Sequence, residues 1–152
     1  MPEYTVNSYR KGVVGLLLKH FLCRLKGDNE VSPVHTRASG TTEFVLSSNG
    51  NKLHYRIQVN NVRKLTQVRI HIGPAGKNGP AAAYLFGNIN PGISINTGIV
   101  TGNITSKDLI GPLQGMPLSK LIEEISAGNA YVNVYSEFCT GGELRGQIDP
   151  IK

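Results

Sequence analysis

The chain has no tryptophan, two cysteines, and ten acidic residues against sixteen basic ones in 152 positions. Each shortage excludes something. Without tryptophan, the most strongly stacking side chain is missing from any aromatic binding platform. Two cysteines, Cys23 and Cys139, are too few for a disulfide-stapled miniprotein or a four-cysteine zinc site. They leave two free thiols, one bridge between the chain ends, or an intermolecular bond through Cys139, and pairing of either kind needs an oxidising compartment. No apolar run reaches the roughly 18 residues of a membrane span. The acid deficit leaves a net charge of +6, which favours acidic partners without naming one.

What is present is glycine and proline, 18 and 8 residues, which implies many turns and argues against a helical bundle. The length fits one domain with a real core. Residues 1–18 read as an N-terminal arm or extra strand, and 19–152 as the domain. Arg10-Lys11 could head a signal peptide, but Val13, Val14, Leu16, Leu17 and Leu18 form only a short run. Lys19-His20 interrupts it, and no small-residue cleavage site follows. Those five apolar residues are candidate assembly residues, because a free apolar arm requires a cover.

Period-two alternation dominates the rest. Phe21, Cys23 and Leu25 share one strand face. Thr42, Phe44 and Leu46 share another, and Leu53, Tyr55, Ile57 and Val59 a third. Asn49-Gly50 predicts a tight hairpin between the last two. Further strands are expected around 68–72, 81–86, 99–104, 131–135 and 144–148, and Gly73–Pro80 must be a loop. Leu118, Leu121, Ile122 and Ile125 recur at helical spacing before Gly128. Thr105 to Asp108 resembles a capping box on a single turn. At least seven short strands predict an all-β, antiparallel β-sandwich of Greek-key type, immunoglobulin-like or superoxide-dismutase-like, with one short inserted helix.

Four segments together resemble a known family. Gly27-Asp28-Asn29-Glu30-Val31-Ser32-Pro33-Val34 resembles the G-x-N-E-V-P-P-V opening of the CHRD (chordin) domain. Arg69 to Pro80 resembles its A-H-I-H-x-G-x-x-G-x-N-G-P centre. Gly128 to Tyr135 is similar to G-N-x-Y-V-N-V-H, and Gly142 to Ile148 to G-E-I-R-G-Q-I. The resemblance spans roughly Lys19 to Ile148. It implies an all-β domain of extracellular developmental regulators and stand-alone bacterial proteins, with no established enzymatic activity.

The family pattern also carries two histidines one residue apart and a third on a later strand, a metal-binding arrangement of the superoxide dismutase type. Here those positions hold Arg69, His71 and Tyr135. Only His71 remains a candidate ligand, and a cation at 69 opposes a metal. A hydrogen bond from His71 to the glycine loop is the expected alternative. No cofactor is implied. Cys139 has no base at a supporting spacing. Asp28 with Glu30, and Glu123 with Glu124, do not form an acid–base pair. Glu143 and Arg145 share a strand face and are expected to form an ion pair, structural or ligand-gripping. The Gly73–Pro80 loop precedes a strand, so it offers no helix N-terminus to a phosphate. The basic clusters Arg10-Lys11, Arg24 with Lys26, and Arg63-Lys64 lack interleaved aromatics and read as solvated charges rather than a nucleic-acid stripe.

These observations lead to a non-catalytic, self-assembling structural protein, an oligomer or fibre on a cell or spore surface, exported without a clear signal peptide. The arm and the cysteines would join its subunits. The alternatives are an extracellular binding module for a protein or glycan partner, and a metal-binding, superoxide-dismutase-like protein.

Overall fold

The computed structural model describes residues 19–151. Its strands are β1 (His20–Leu25), β2 (Ser39–Leu46), β3 (Leu53–Ile72), β4 (Ala81–Gly87), β5 (Ile93–Ile104), β6 (Ala130–Ser136) and β7 (Leu144–Pro150), with one α-helix, α1 (Leu118–Ser126). The expectation of an all-β antiparallel fold with a single short helix holds. All seven strands join one sheet, six in the order β2-β1-β7-β6-β3-β4 and β5 alongside β3, and β2 also pairs with β3. That extra pairing closes the ring β2-β1-β7-β6-β3, a barrel-like arrangement. The five apolar residues of the expected arm lie outside the described residues.

Strand β3 makes closure feasible. The alternation predicted two strands here; the structure has one of 20 residues. Its first half pairs with β2 through Leu53–Asn60, and its second half with β6 through Leu65–Ile72. Asn61 and Lys64 both take φ of 57°, a left-handed conformation that asparagine tolerates better than lysine. These two residues bend the strand between its partners without ending it. The β2–β3 hairpin also differs from expectation. Leu46 pairs with Leu53, and Gly50 takes φ of 75° inside a loop wider than two residues.

The core follows the alternation. Phe21, Cys23, Phe44, Leu53, Ile57 and Leu65 are all at most 1 % exposed, each full burial contributing about 1.5–3 kcal/mol. Helix α1 buries Leu118, Leu121 and Ile125 against this core. It ends where Gly128 takes φ of 75° and its N–H donates to the Ile125 carbonyl. Thr105 and Asp108 form the expected reciprocal cap on a single turn.

Candidate functional site

Strand β6 is buried on both faces. Ala130, Val132 and Val134 face the core. Tyr131, Asn133 and Tyr135 alternate to the opposite face, where period two places hydrophilic side chains. Register aligns Arg69 with Asn133 and His71 with Tyr131 across β3, and Asn133 with Arg145 and Tyr131 with Gln147 across β7. The result is a polar patch built from three strands. The Gly27–Ala38 segment and the Gly73–Pro80 loop cover it, so polar groups are buried and must satisfy one another.

Arg145 sits at the middle, 1 % exposed. Its guanidinium carbon lies 3.5 Å from the Tyr131 ring centroid. Nη2 donates to the Pro74 and Lys77 carbonyls at 2.8 Å each, and Nη1 to Asn78 Oδ1 at 3.2 Å. A planar, forked cation suits this position, because it stacks on the ring and ties down the glycine loop at once. The expected Glu143–Arg145 pair does not form. Glu143 precedes β7 and accepts from the Thr36 hydroxyl at 2.6 Å and the Ser136 hydroxyl at 2.7 Å. Among the described residues the one ion pair is Lys120–Glu123.

The three positions of the family's histidine pattern do converge. The Arg69 guanidinium lies 4.6 Å from the Tyr135 ring centroid, and the Tyr135 hydroxyl is 2.7 Å from His71 Nε2. His71 Nδ1 donates to the Gly79 carbonyl at 2.7 Å, the expected link to the glycine loop. The imidazole stacks on Tyr131 at 5.1 Å. Both His71 nitrogens are therefore hydrogen-bonded, and a metal at Nε2 would have to displace Tyr135. Burial lowers the His71 pKa, the Gly79 bond raises it, and the charges of Arg69 and Arg145 lower it further. A neutral imidazole with its proton on Nδ1 fits these surroundings. With the Asn133 amide oxygen turned toward the phenol, it lies 3.1 Å from the same hydroxyl and shares the single proton that His71 Nε2 accepts. The Asn133 nitrogen donates to Glu30 Oε2 at 2.7 Å and to the Leu144 carbonyl at 3.1 Å. A hydrogen-bonded chain thus runs from Gly79 through His71, Tyr135 and Asn133 to Glu30.

Glu30, an acid of the segment before β2, is only 6 % exposed. Burial pushes its pKa up to about 7, against a pull downward from Arg145. Gly142 makes room for it: with φ of 116°, a side chain there would press on the Glu30 carboxylate and the Asn133 amide. Glu30, Tyr131, Asn133 and Gln147 were missed as site residues because three strands and a distant loop bring them together. Their one sequence signal is that each falls within one of the four family motifs.

Two shallow clefts flank this patch. Arg24 and Lys26 line one together with Asp28, Glu30 and Asp149. Arg63 lines the other with His35, Arg37 and Phe138. His54 faces outward, as its alternation predicted, and contacts Asn103. Of the three cysteine states the sequence left open, the structure shows two free thiols. Cys23 is fully buried on β1 and donates to the Gly146 carbonyl at 3.1 Å; Cys139 is half-buried in the β6–β7 turn. Burial raises both thiol pKa values. Ellman's reagent should titrate Cys139 slowly in the folded protein and Cys23 only after guanidinium is added. Fewer than two thiols in non-reducing denaturant would restore a bridge.

No curated protein and no solved structure matches the chain. The family model of the CHRD domain matches residues 21–148, most of the chain, and the protein is a member of the CHRD domain family.

Proposed function

We propose that this chain is a non-catalytic β-fold binding module whose partner is a further copy of itself. The observation that carries this reading is strand β5. It is 12 residues long and contains no charged side chain, and β3 is its one strand partner among the described residues. Its outer edge therefore offers unpaired backbone groups over about 40 Å. Ile93 and Ile99 on it are 46 % and 54 % exposed. Natural edges are usually blunted by lysine or proline; this one is not. An uncharged strand can also pair antiparallel with its own copy across a two-fold axis without opposing like charges. The non-catalytic part of the reading is supported by the polar patch, whose groups are engaged with one another rather than turned toward an open site.

Light scattering on a sizing column tests the assembly. The wild type should elute at twice its 16.4 kDa or more, and the I93K/I99K variant should approach monomer mass. A wild type that stays monomeric at tens of micromolar overturns the reading. Loss of the assembly on deleting residues 1–17, with I93K/I99K still assembled, would transfer the joint to the arm.

An extracellular location belongs to the same proposal, supported by the occurrence of CHRD domains in extracellular proteins. No helix among the described residues is long and apolar enough to cross a membrane. A sandwich description of the closed sheet is supported by the bend at Asn61–Lys64, which hands β3 from β2 to β6.

A further inference from the structure

We infer that the cleft between the Thr36 loop, the bend of β3 and the β6–β7 turn is a binding site for an acidic polysaccharide. The cleft measures about 820 Å³ and draws on three separate parts of the chain. His35, Thr36 and Arg37 form one wall. Asn61 and Arg63 of β3, with Ser94 and Asn96 of β5, form the second. Phe138, Cys139 and Glu143 form the third.

Its charge is not neutralised from within. Arg37 and Arg63 have no carboxylate within ion-pair distance among the described residues. The one acid in the lining, Glu143, is 7 % exposed and already accepts from two hydroxyls, those of Thr36 and Ser136. Two exposed guanidinium groups on the walls of a concave surface concentrate positive potential there and favour an anion that can accept a forked pair of N–H groups, a carboxylate or a sulfate.

The rest of the lining selects the carrier of that anion. Phe138 is 63 % exposed, the most exposed large apolar side chain among the described residues, and it stands at the cleft wall. The Arg63 guanidinium carbon lies 4.6 Å from its ring centroid, which holds the ring in place and leaves much of it to solvent. An exposed ring offers an apolar platform to the C–H face of a pyranose. The amides of Asn61 and Asn96 supply neutral partners for sugar hydroxyls. A single-stranded nucleic acid needs successive aromatic platforms along a continuous basic groove. Here there is one ring, with a cation already beside it, and the remaining basic pair, Arg24 and Lys26, opens into the other cleft. Acidic sugars fit better than bases. The inference is separable from the β5 pairing: Ser94 and Asn96 of β5 line the cleft, but Arg37, Arg63 and Phe138, which carry the inference, lie on other segments.

Calorimetry and salt titration on the full chain test it, with heparin as the sulfated probe, polygalacturonate as the carboxylated one, dextran as the neutral control and a single-stranded oligonucleotide as the competing polyanion. Heparin or polygalacturonate should bind, with dextran silent and the oligonucleotide at least tenfold weaker. R37Q/R63Q should weaken binding tenfold or more and flatten its salt dependence, and F138S should weaken it severalfold at unchanged salt dependence. R24Q/K26Q should leave it within twofold. All these positions are exposed, so the variants should keep the wild-type circular dichroism spectrum. An oligonucleotide binding as tightly as the polysaccharides, an equal loss in R24Q/K26Q, or no binding to either polysaccharide overturns the inference. Preference between the two polysaccharides assigns the anion as sulfate or carboxylate.

Discussion

Replacing Arg145 by methionine should destabilise the protein by about 3–5 kcal/mol, the largest effect expected of any single substitution outside the apolar core. Methionine keeps most of the volume but none of the donors. The Pro74 and Lys77 carbonyls and the Asn78 amide lose a charged partner together, and the glycine loop loses its tie to β7. The loop also carries the Gly79 carbonyl that holds His71, so the damage should spread along the hydrogen-bonded chain toward Tyr135. Lysine should recover less than half of the loss, because an ammonium neither lies flat on Tyr131 nor spans the two carbonyls and the Asn78 amide with one fork. Guanidinium denaturation measures this, and the melting temperature should fall by about 10 °C. A lysine variant as stable as the wild type would show that charge, and not the planar fork, is what the site requires.

The second large effect concerns pH. Glu30 has a folded pKa of about 7 against an ordinary 4.5. Between those values the folded state holds a proton that the unfolded chain has released. Its contribution is therefore fully present below about pH 4.5 and is lost as the pH rises through 7, by on the order of 2 kcal/mol once solvent screening from the cleft beside it is allowed for. His71 acts in the opposite sense. Its folded pKa is lowered, so its contribution is present above the ordinary imidazole value of 6.5 and falls as the pH drops below it. The charged and titratable groups facing this pair are Arg69 and Arg145, which both penalise an imidazolium, Arg145 alone also favouring the carboxylate, and the phenols of Tyr131 and Tyr135. Opposed slopes should give the wild type a shallow profile between about pH 5 and 8. The E30Q variant should be more stable than the wild type at pH 8, and its stability should rise with pH across that window. The H71Q variant should show the reverse slope. Unfolding free energies from urea titrations at pH 5, 6.5 and 8 give these slopes directly. Parallel profiles for the wild type and E30Q would mean that Glu30 ionises normally and that the Asn133 amide and Arg145 offset its burial.

Several parts of this molecule were legible in the residues. Alternation alone named the inward faces of β1, β2 and β3, because side chains on a strand can reach only two sides. The spacing of Leu118, Leu121 and Ile125 marked α1, and Thr105 with Asp108 marked a capped turn. These signals are local: backbone sterics and neighbours a few positions away create them. The family motifs added the polar patch in outline, since Arg69, His71 and Tyr135 were placed on strands, and the His71 link to the glycine loop was anticipated.

The sequence by itself therefore determined the class of the fold, its strands and helix, and the residue types available to its polar face. Tertiary structure alone decided three things. It carried β3 through the bend at Asn61–Lys64 and closed the sheet, where alternation had shown only a gap. It turned Arg145 away from Glu143, two positions off in sequence, toward carbonyls about 70 positions away, and gave Glu143 to Thr36 at a separation of 107. It left β5 without a second neighbour. Pairings of that range depend on which strands become adjacent and on how every buried donor finds an acceptor. That balance is struck over the whole closed sheet and has no counterpart in any window of the chain.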